Sequence, residues 1–262
     1  MDHPSWKKHL SFPKDTEAPW ELFHENSKIG RFSETLSKED VLAHMEELHE
    51  SLPYEGYPVV PLSRTLSPLG ASLDGSILSR ESIRNLFPKP LSLDHLTCLL
   101  HYGYGVTREG GDGAVRSFRV VPSGGALYPL ELYVYSSVME GQKPGLYHYN
   151  PSHNHLRLLR EGDVVEVLSA RLVQPEIGRN ASAVLFITAI FERSVFKYQD
   201  RGYRFALLEA GHVAQNINLV ATALDFASVN IGGYFDREID EFLGIDGIAH
   251  STIYMMAIGG IS

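Results

Sequence analysis

Between Phe196 and Leu224 the chain reads FKYQDRGYRFALLEAGHVAQNINLVATAL, a long helix pattern with almost no face for water. Phe205, Leu208, Val213, Ile217, Val220 and Leu224 recur at steps of three to five, near the helical period. Leu207, Ala210, Ala214 and Ala221 fill a second face. A helix apolar nearly all round is a central core helix or a membrane span. Glu209, His212, Gln215, Asn216 and Asn218 exclude the span, because each is costly in lipid. At about 100° per residue, Glu209, His212 and Asn216 share one side. A buried polar stripe needs partners: another helix across a dimer seam, or a bound cofactor. Gly211 costs about 1 kcal/mol against alanine in mid-helix, so it asks for close approach of a backbone or a flat ligand.

The rest of the 262-residue chain must supply the core around this helix. Strands and helices are mixed and a hairpin region is antiparallel, so the class is α+β. Residues 1–76 read as a helical segment followed by an extended Pro/Gly-rich connector, and residues 77–262 as the main domain. Ser37 caps a helix running to about His49. Residues 80–86 start a helix or turn, and Ser92 caps a helix over 93–102. Strands are expected over 115–121, 130–135, 145–149, 156–159, 183–191, 229–234 and 252–258. Short helices are expected over 164–172 and 239–243. A formal net charge of −9 disfavours nucleic acid as a partner. Cys98 is the sole cysteine, which rules out a disulfide framework or a zinc ribbon. The first twenty residues carry no apolar signal-peptide region, and a cytoplasmic location without a membrane partner is expected.

Several short motifs carry chemistry, each beside an ordinary reading. Arg80-Glu81-Ser82-Ile83-Arg84 places two arginines and a hydroxyl at alternate positions, which suits one phosphate or a plain surface pair. Pro122-Ser123-Gly124-Gly125 is a hairpin turn or a backbone cradle for a flat polar ring. Ile231-Gly232-Gly233 marks a bulge or a close backbone approach. Lys197-Tyr198 is an exposed pair, or a buried lysine of lowered pKa beside a phenol, which would be a general base and its partner. His44 and His49 are five apart, the wrong spacing for a zinc helix. His148, His153 and His155 lie near a hairpin turn without a carboxylate or cysteine cluster, and no metal is expected.

In this order, Arg80-to-Arg84, Pro122-Ser123-Gly124-Gly125-Ala126-Leu127-Tyr128-Pro129, Gly145-to-Tyr149, Lys197-Tyr198 through Arg204, Gly211-His212 with Gln215-Asn216, and Ile231-Gly232-Gly233 resemble the SagB-type, McbC-like branch of the nitroreductase superfamily. Phe23-to-Lys28 is also similar to an N-terminal segment of that branch. The resemblance implies a nitroreductase-like fold, with a mostly antiparallel central sheet and a long dimer-interface helix. It implies a homodimer binding two FMN molecules in the interface. Arg80, Ser82 and Arg84 would hold the phosphate and ribityl end, and Pro122, Ser123, Gly124 and Gly125 would lie along the isoalloxazine. Gly232 and Gly233 would approach its N5 and O4 side, Gln215 would join the cofactor site, and Lys197 and Tyr198 would be catalytic. After the expected last strand come Gly259-Gly260-Ile261-Ser262, without the basic tail of many nitroreductases. Phosphate charge then falls to Arg80 and Arg84, with Arg201 or Arg204 as further candidates. Asp225-Phe226 replaces a glycine-containing helix end.

The implied activity is aromatisation of a thiazoline or oxazoline in a peptide natural product, with oxygen as electron acceptor. The substrate would be a ribosomal peptide or an intermediate on a nonribosomal carrier domain. It would be presented in trans, for example by a cyclodehydratase complex. The alternatives are an NAD(P)H-dependent FMN nitro- or quinone reductase, and a flavin-free docking subunit of a synthetase complex.

Overall fold

Leu130, Leu132 and Val134 belong to one core cluster and Tyr133 and Tyr135 to another, and all five are buried. Successive side chains of a strand face opposite ways, so this strand is covered on both faces. The protein, described by a computed structural model over residues 18–33, 36–110 and 116–261, is built around that strand.

Helices α1 (Pro19–Asn26) and α2 (Lys38–Glu47) lead. Ser37 caps α2, its hydroxyl accepting from the Asp40 N–H at 3.0 Å. Within the connector lie the short strand β1 (Val59–Pro61) and most of α3 (Leu73–Ser79), neither of which the turn-rich composition announces. Residues 80–86, expected to start a helix or a turn, begin no helix. Arg80 already ends α3, and the chain runs extended past Ser82 into β2 (Leu86–Phe87). Ser92 caps α4 (Leu93–Tyr104), two residues longer than expected. β3 (Val106–Arg108) pairs with β4 (Phe118–Arg119), a shorter strand than the expected one, whose first residue lies outside the described residues.

The sheet then builds through β5 (Leu130–Ser136), β6 (Gly145–Asn150) and β7 (His155–Glu161). Helices α5 (Val165–Ser169) and α6 (Pro175–Asn180) precede β8 (Ala183–Ile190). Next come α7 (Glu192–Tyr198), α8 (Asp200–Ala223), β9 (Ala227–Ile231), α9 (Asp236–Leu243) and β10 (His250–Ile261). Eight strands form one sheet in the order β1-β7-β6-β5-β8-β10-β2, with β9 also on β10. All of these ladders are antiparallel. One face packs on α4 and α8, the other on α5, α6 and α9.

The long stretch is not one helix. Gln199 adopts φ 50°, ψ −141°, breaking α7 from α8 immediately after Lys197 and Tyr198. Nor is α8 dry all round, since Leu207, Leu208, Gly211, His212 and Gln215 are exposed. Two of its polar groups find partners on α4 of the same chain. Glu209 accepts from the Tyr104 hydroxyl at 2.8 Å, and the Asn216 amide donates to the Tyr102 carbonyl at 3.1 Å, both on α4. At the far end of α8, Asp225 takes the left-handed conformation (φ 61°) that glycine usually supplies. The Lys89 ammonium donates to its carbonyl and lies over the Phe226 ring.

Candidate active site

Two of the motifs read from the sequence converge. Gly125 has φ 65°, a left-handed conformation that favours glycine. A Cβ there would stand 2.6 Å from the Tyr198 hydroxyl and 2.9 Å from the Lys197 amine. The same turn meets α8 one step on, since a Cβ on Gly124 would stand 2.8 Å from the Phe205 ring. Phe205 in turn packs edge-on against Tyr198, with ring centroids 4.9 Å apart. The Lys197 amine lies 5.2 Å from the centre of the Tyr198 ring. The turn is held from behind: the Tyr128 N–H donates to the Ser123 hydroxyl at 2.9 Å, and the Arg119 N–H donates to the Tyr128 hydroxyl at 3.0 Å. Ala126 and Tyr128 also have positive φ, 54° and 46°, so strained backbone is concentrated here.

Half-buried Lys197 opens on two clefts. One, of about 170 Å³, is walled by Asn26 to Ile29 and by Tyr198 to Arg201. The other, of about 420 Å³, is walled by Val41, Leu42 and Met45 of α2, with Arg116, Phe118, Gly125 and Ala126. The segment before residue 77 therefore supplies a wall to each. Arg116 ties α2 to the turn, donating to the Leu127, Met45 and Leu48 carbonyls. Two of those acceptors belong to the end of α2, where carbonyls lack helical partners. Arg201 and Arg204, considered above for phosphate, are turned to α1 instead, donating to the Ser27 and His24 carbonyls.

The other motifs form a second group. The Ser82 backbone bridges Ser228 at the start of β9, and the Ile83 N–H donates to the Ser228 carbonyl at 3.1 Å. Arg80 reaches the Ser82 hydroxyl at 3.4 Å, so these two side chains do converge, and Arg84 is exposed. Gly232 and Gly233 follow the other end of β9. A Cβ on Gly232 would meet nothing within 4 Å, which leaves that backbone open to a flat group, while Gly233 backs onto Val173. Asn218 of α8 accepts from the Ser228 hydroxyl at 2.9 Å. Phe205 marks the first group and Asn218 the second, and thirteen residues of helix separate them by about 20 Å. Gln215 lies between, exposed on α8.

A buried charge cluster escaped the sequence reading. Glu131 pairs with Arg193 at 2.7 Å and with His148 at 2.6 Å, and also accepts from the Ser51 hydroxyl and the Leu52 N–H. Burial alone would raise this carboxyl, but Arg193 and then His148 outweigh it and hold it well below the usual carboxylate range. His148 thus has the carboxylate partner that its sequence surroundings lacked. Only pairing across the β5–β6 ladder brings the two residues together.

Residues 77–260 match the nitroreductase family, an oxidoreductase family whose members usually bind flavin, and the chain belongs to it. It is 41% identical over 174 residues to the nitroreductase-type protein MJ1384 of Methanocaldococcus jannaschii, covering 66% of this chain and 84% of that one. It is 36% identical to the trifolitoxin-processing protein TfxB of Rhizobium leguminosarum bv. trifolii, over 53% of this chain and 40% of that one. It is 32% identical to the microcin B17-processing protein McbC of Escherichia coli, over 57% and 56%. The chain thus spans about half the length of the two processing proteins.

Among solved structures, a nitroreductase-type protein from Anabaena variabilis shares the fold at TM-score 0.72 and 22% identity, over 97% of this chain and 49% of that one. A chain of the E. coli microcin synthetase McbBCD complex, solved with truncated pro-MccB17 bound, superposes at TM-score 0.58 and 26% identity, over 92% and 86%. A Desulfovibrio desulfuricans nitroreductase-type protein solved with FMN gives TM-score 0.50 at 18% identity, over 73% and 90%. Among the described residues no helix is long and apolar enough to cross a membrane.

Proposed function

We propose that this chain binds FMN and aromatises a thiazoline or oxazoline ring in a peptide natural product. The observation that carries the reading is the seating of Lys197 and Tyr198 against Gly125, in a chain related to two peptide-processing proteins. The residues present suit a flavin. Arg80, Ser82 and Arg84 offer charge-assisted donors for its phosphate, and the open backbone at Gly232 admits a flat ring. Ser123 to Gly125 form the second wall. Bound there, FMN supplies a two-electron acceptor that takes a hydride.

The protein's part is orientation and proton transfer. Aromatisation removes two hydrogens from the heterocycle and forms one carbon–carbon double bond. The α-carbon proton would pass to the Lys197 amine, and bound FMN would supply the acceptor for the second hydrogen and its electron pair. Lys197 stands between two clefts, so a ring over it has room for peptide on either side. Covering the amine with substrate removes it from water, the condition under which a lysine serves as a base. Tyr198 packs beside the amine, and Gly125, lacking a Cβ, leaves room for both groups.

The separation of the two residue groups along α8 supports a flavin shared between two copies of the chain. The exposed stripe Leu207, Leu208, Gly211, His212 and Gln215 is the seam we assign to them. A carrier-bound or ribosomal peptide reaches the site in trans, in the cytoplasm.

The test is direct. FMN-loaded protein, given thiazoline peptides free and carrier-bound, should yield a product lighter by two hydrogens. Lys197→Ala and Tyr198→Phe should stay yellow while turnover falls about 10²- to 10⁴-fold. Near wild-type turnover in both variants would refute the assignment, and loss of FMN would move the pair to cofactor binding.

A further inference from the structure

Glu209 is 2% exposed, and only one of its two carboxyl oxygens is hydrogen-bonded. The Tyr104 hydroxyl donates to Oε1 at 2.8 Å, while Oε2 has no partner among the described residues. Tyr104 has nothing more to give, because its oxygen accepts from the Leu130 N–H at 3.2 Å and its one proton is already placed. The Ser123 hydroxyl lies close to the same carboxyl, short of good hydrogen-bond geometry. Its oxygen accepts from the Tyr128 N–H, which leaves one lone pair and one proton unassigned.

Two arrangements complete this pair. An ionised Glu209 accepts the Ser123 proton, turning the hydroxyl inward. A neutral Glu209 donates its own proton to Ser123, and the hydroxyl proton is then free to point out of the turn. The choice depends on the charges that face the carboxyl. Arg119 of β4 is the nearby cation, stacked 4.2 Å from the Tyr104 ring centre, and it makes no ion pair with Glu209. From α4 comes the neutral Tyr104, with the Glu131 charge behind it. Burial outweighs these influences and lifts the Glu209 carboxyl to about 7.

We propose that Glu209 is a positioning residue that sets the direction of the Ser123 hydroxyl, its neutral form freeing that hydroxyl to donate to an acceptor atom of the flavin ring. The proposal rests on the reading that the Pro122–Gly125 turn lies along FMN. Binding FMN then favours neutral Glu209 and draws a proton into the protein. By linkage, affinity weakens as pH rises past the titration of Glu209, by at most about tenfold per pH unit.

The experiment measures FMN dissociation constants on the full chain by fluorescence quenching from about pH 6 to about pH 9, with proton uptake by calorimetry in two buffers. The FMN phosphate itself titrates near about pH 6. Every variant shares that contribution, so the difference between proteins is read. The wild type should lose affinity severalfold across the range and take up a fraction of a proton near neutrality. Glu209→Gln should bind tightly with that slope abolished, and Ser123→Ala more weakly, also without it. Should Glu209→Gln fail to fold, Ser123→Ala on the partly exposed turn carries the same comparison. A wild-type slope retained in either variant, or absent from the wild type, overturns the proposal. FMN binding at no pH would sink the flavin reading together with it, whereas pH-insensitive binding with thiazoline oxidation intact would sink this proposal alone.

Discussion

The Lys197 amine stands 2.9 Å from where a side chain on Gly125 would begin, which makes the pair and the turn one mechanical unit. Gly125→Ala should therefore fold yet displace Lys197 and Tyr198, lowering thiazoline turnover by about 10²-fold, the scale set by losing a positioned base. Gly141→Ala is the matched control, with φ 70° and nothing within 4 Å. It should share the backbone strain and keep its turnover. Equal turnover in the two variants would detach the turn from the chemistry.

Arg84 is exposed and Arg80 reaches Ser82, so neither residue underpins the core. Arg84→Ala and Ser82→Ala should leave melting of the flavin-free protein within about 0.5 kcal/mol of wild type, as at most surface sites. FMN should nevertheless dissociate during purification. Full flavin occupancy by absorbance would remove the phosphate role from this segment.

Leu208 is 60% exposed in the middle of α8. Leu208→Glu would put charge into the proposed seam, so light scattering should show the variant as a monomer that retains little flavin. A dimer unchanged in mass would place the seam elsewhere.

Glu131 is 1% exposed and joined to Arg193 and His148. Its carboxyl is held below the ordinary value of 4.5, so the folded state releases this proton more readily than the unfolded chain. The resulting stability is present above about pH 4.5 and is lost as pH falls below it. Glu131→Leu would leave Arg193 buried and unpaired, at roughly 3–5 kcal/mol in urea unfolding at neutral pH. The gap should narrow in acid. A gap independent of pH would mean that the pair adds nothing through its charge.

Strands such as β8 were readable because burial on both faces leaves a nearly unbroken apolar run, whereas the short β1, β2 and β3 were not. The caps at Ser37 and Ser92 were readable because the chemistry is local. The turn and the Lys-Tyr pair stood out as unusual residue combinations, though nothing along the chain put them in contact. The break at Gln199 left no mark on the helical period, since one residue in an uncommon conformation suffices to make it. Partners of Glu209 and Glu131 lie 105 and 62 residues away, at Tyr104 and Arg193, and only tertiary packing names them. Asp225 performed a glycine's task without being glycine.

The family match begins at residue 77, while one wall of each cleft beside Lys197, and two of the bonds to Glu131, come from before it. A fragment excised at the start of the match would open Lys197 to bulk water and strip a buried carboxylate of two donors. On the function proposed above, sorting related chains by the matched portion alone would group them by chemistry and leave their substrates unsorted. On that reading, the segment before residue 77 walls the clefts where substrate would lie and would take part in choosing what is accepted.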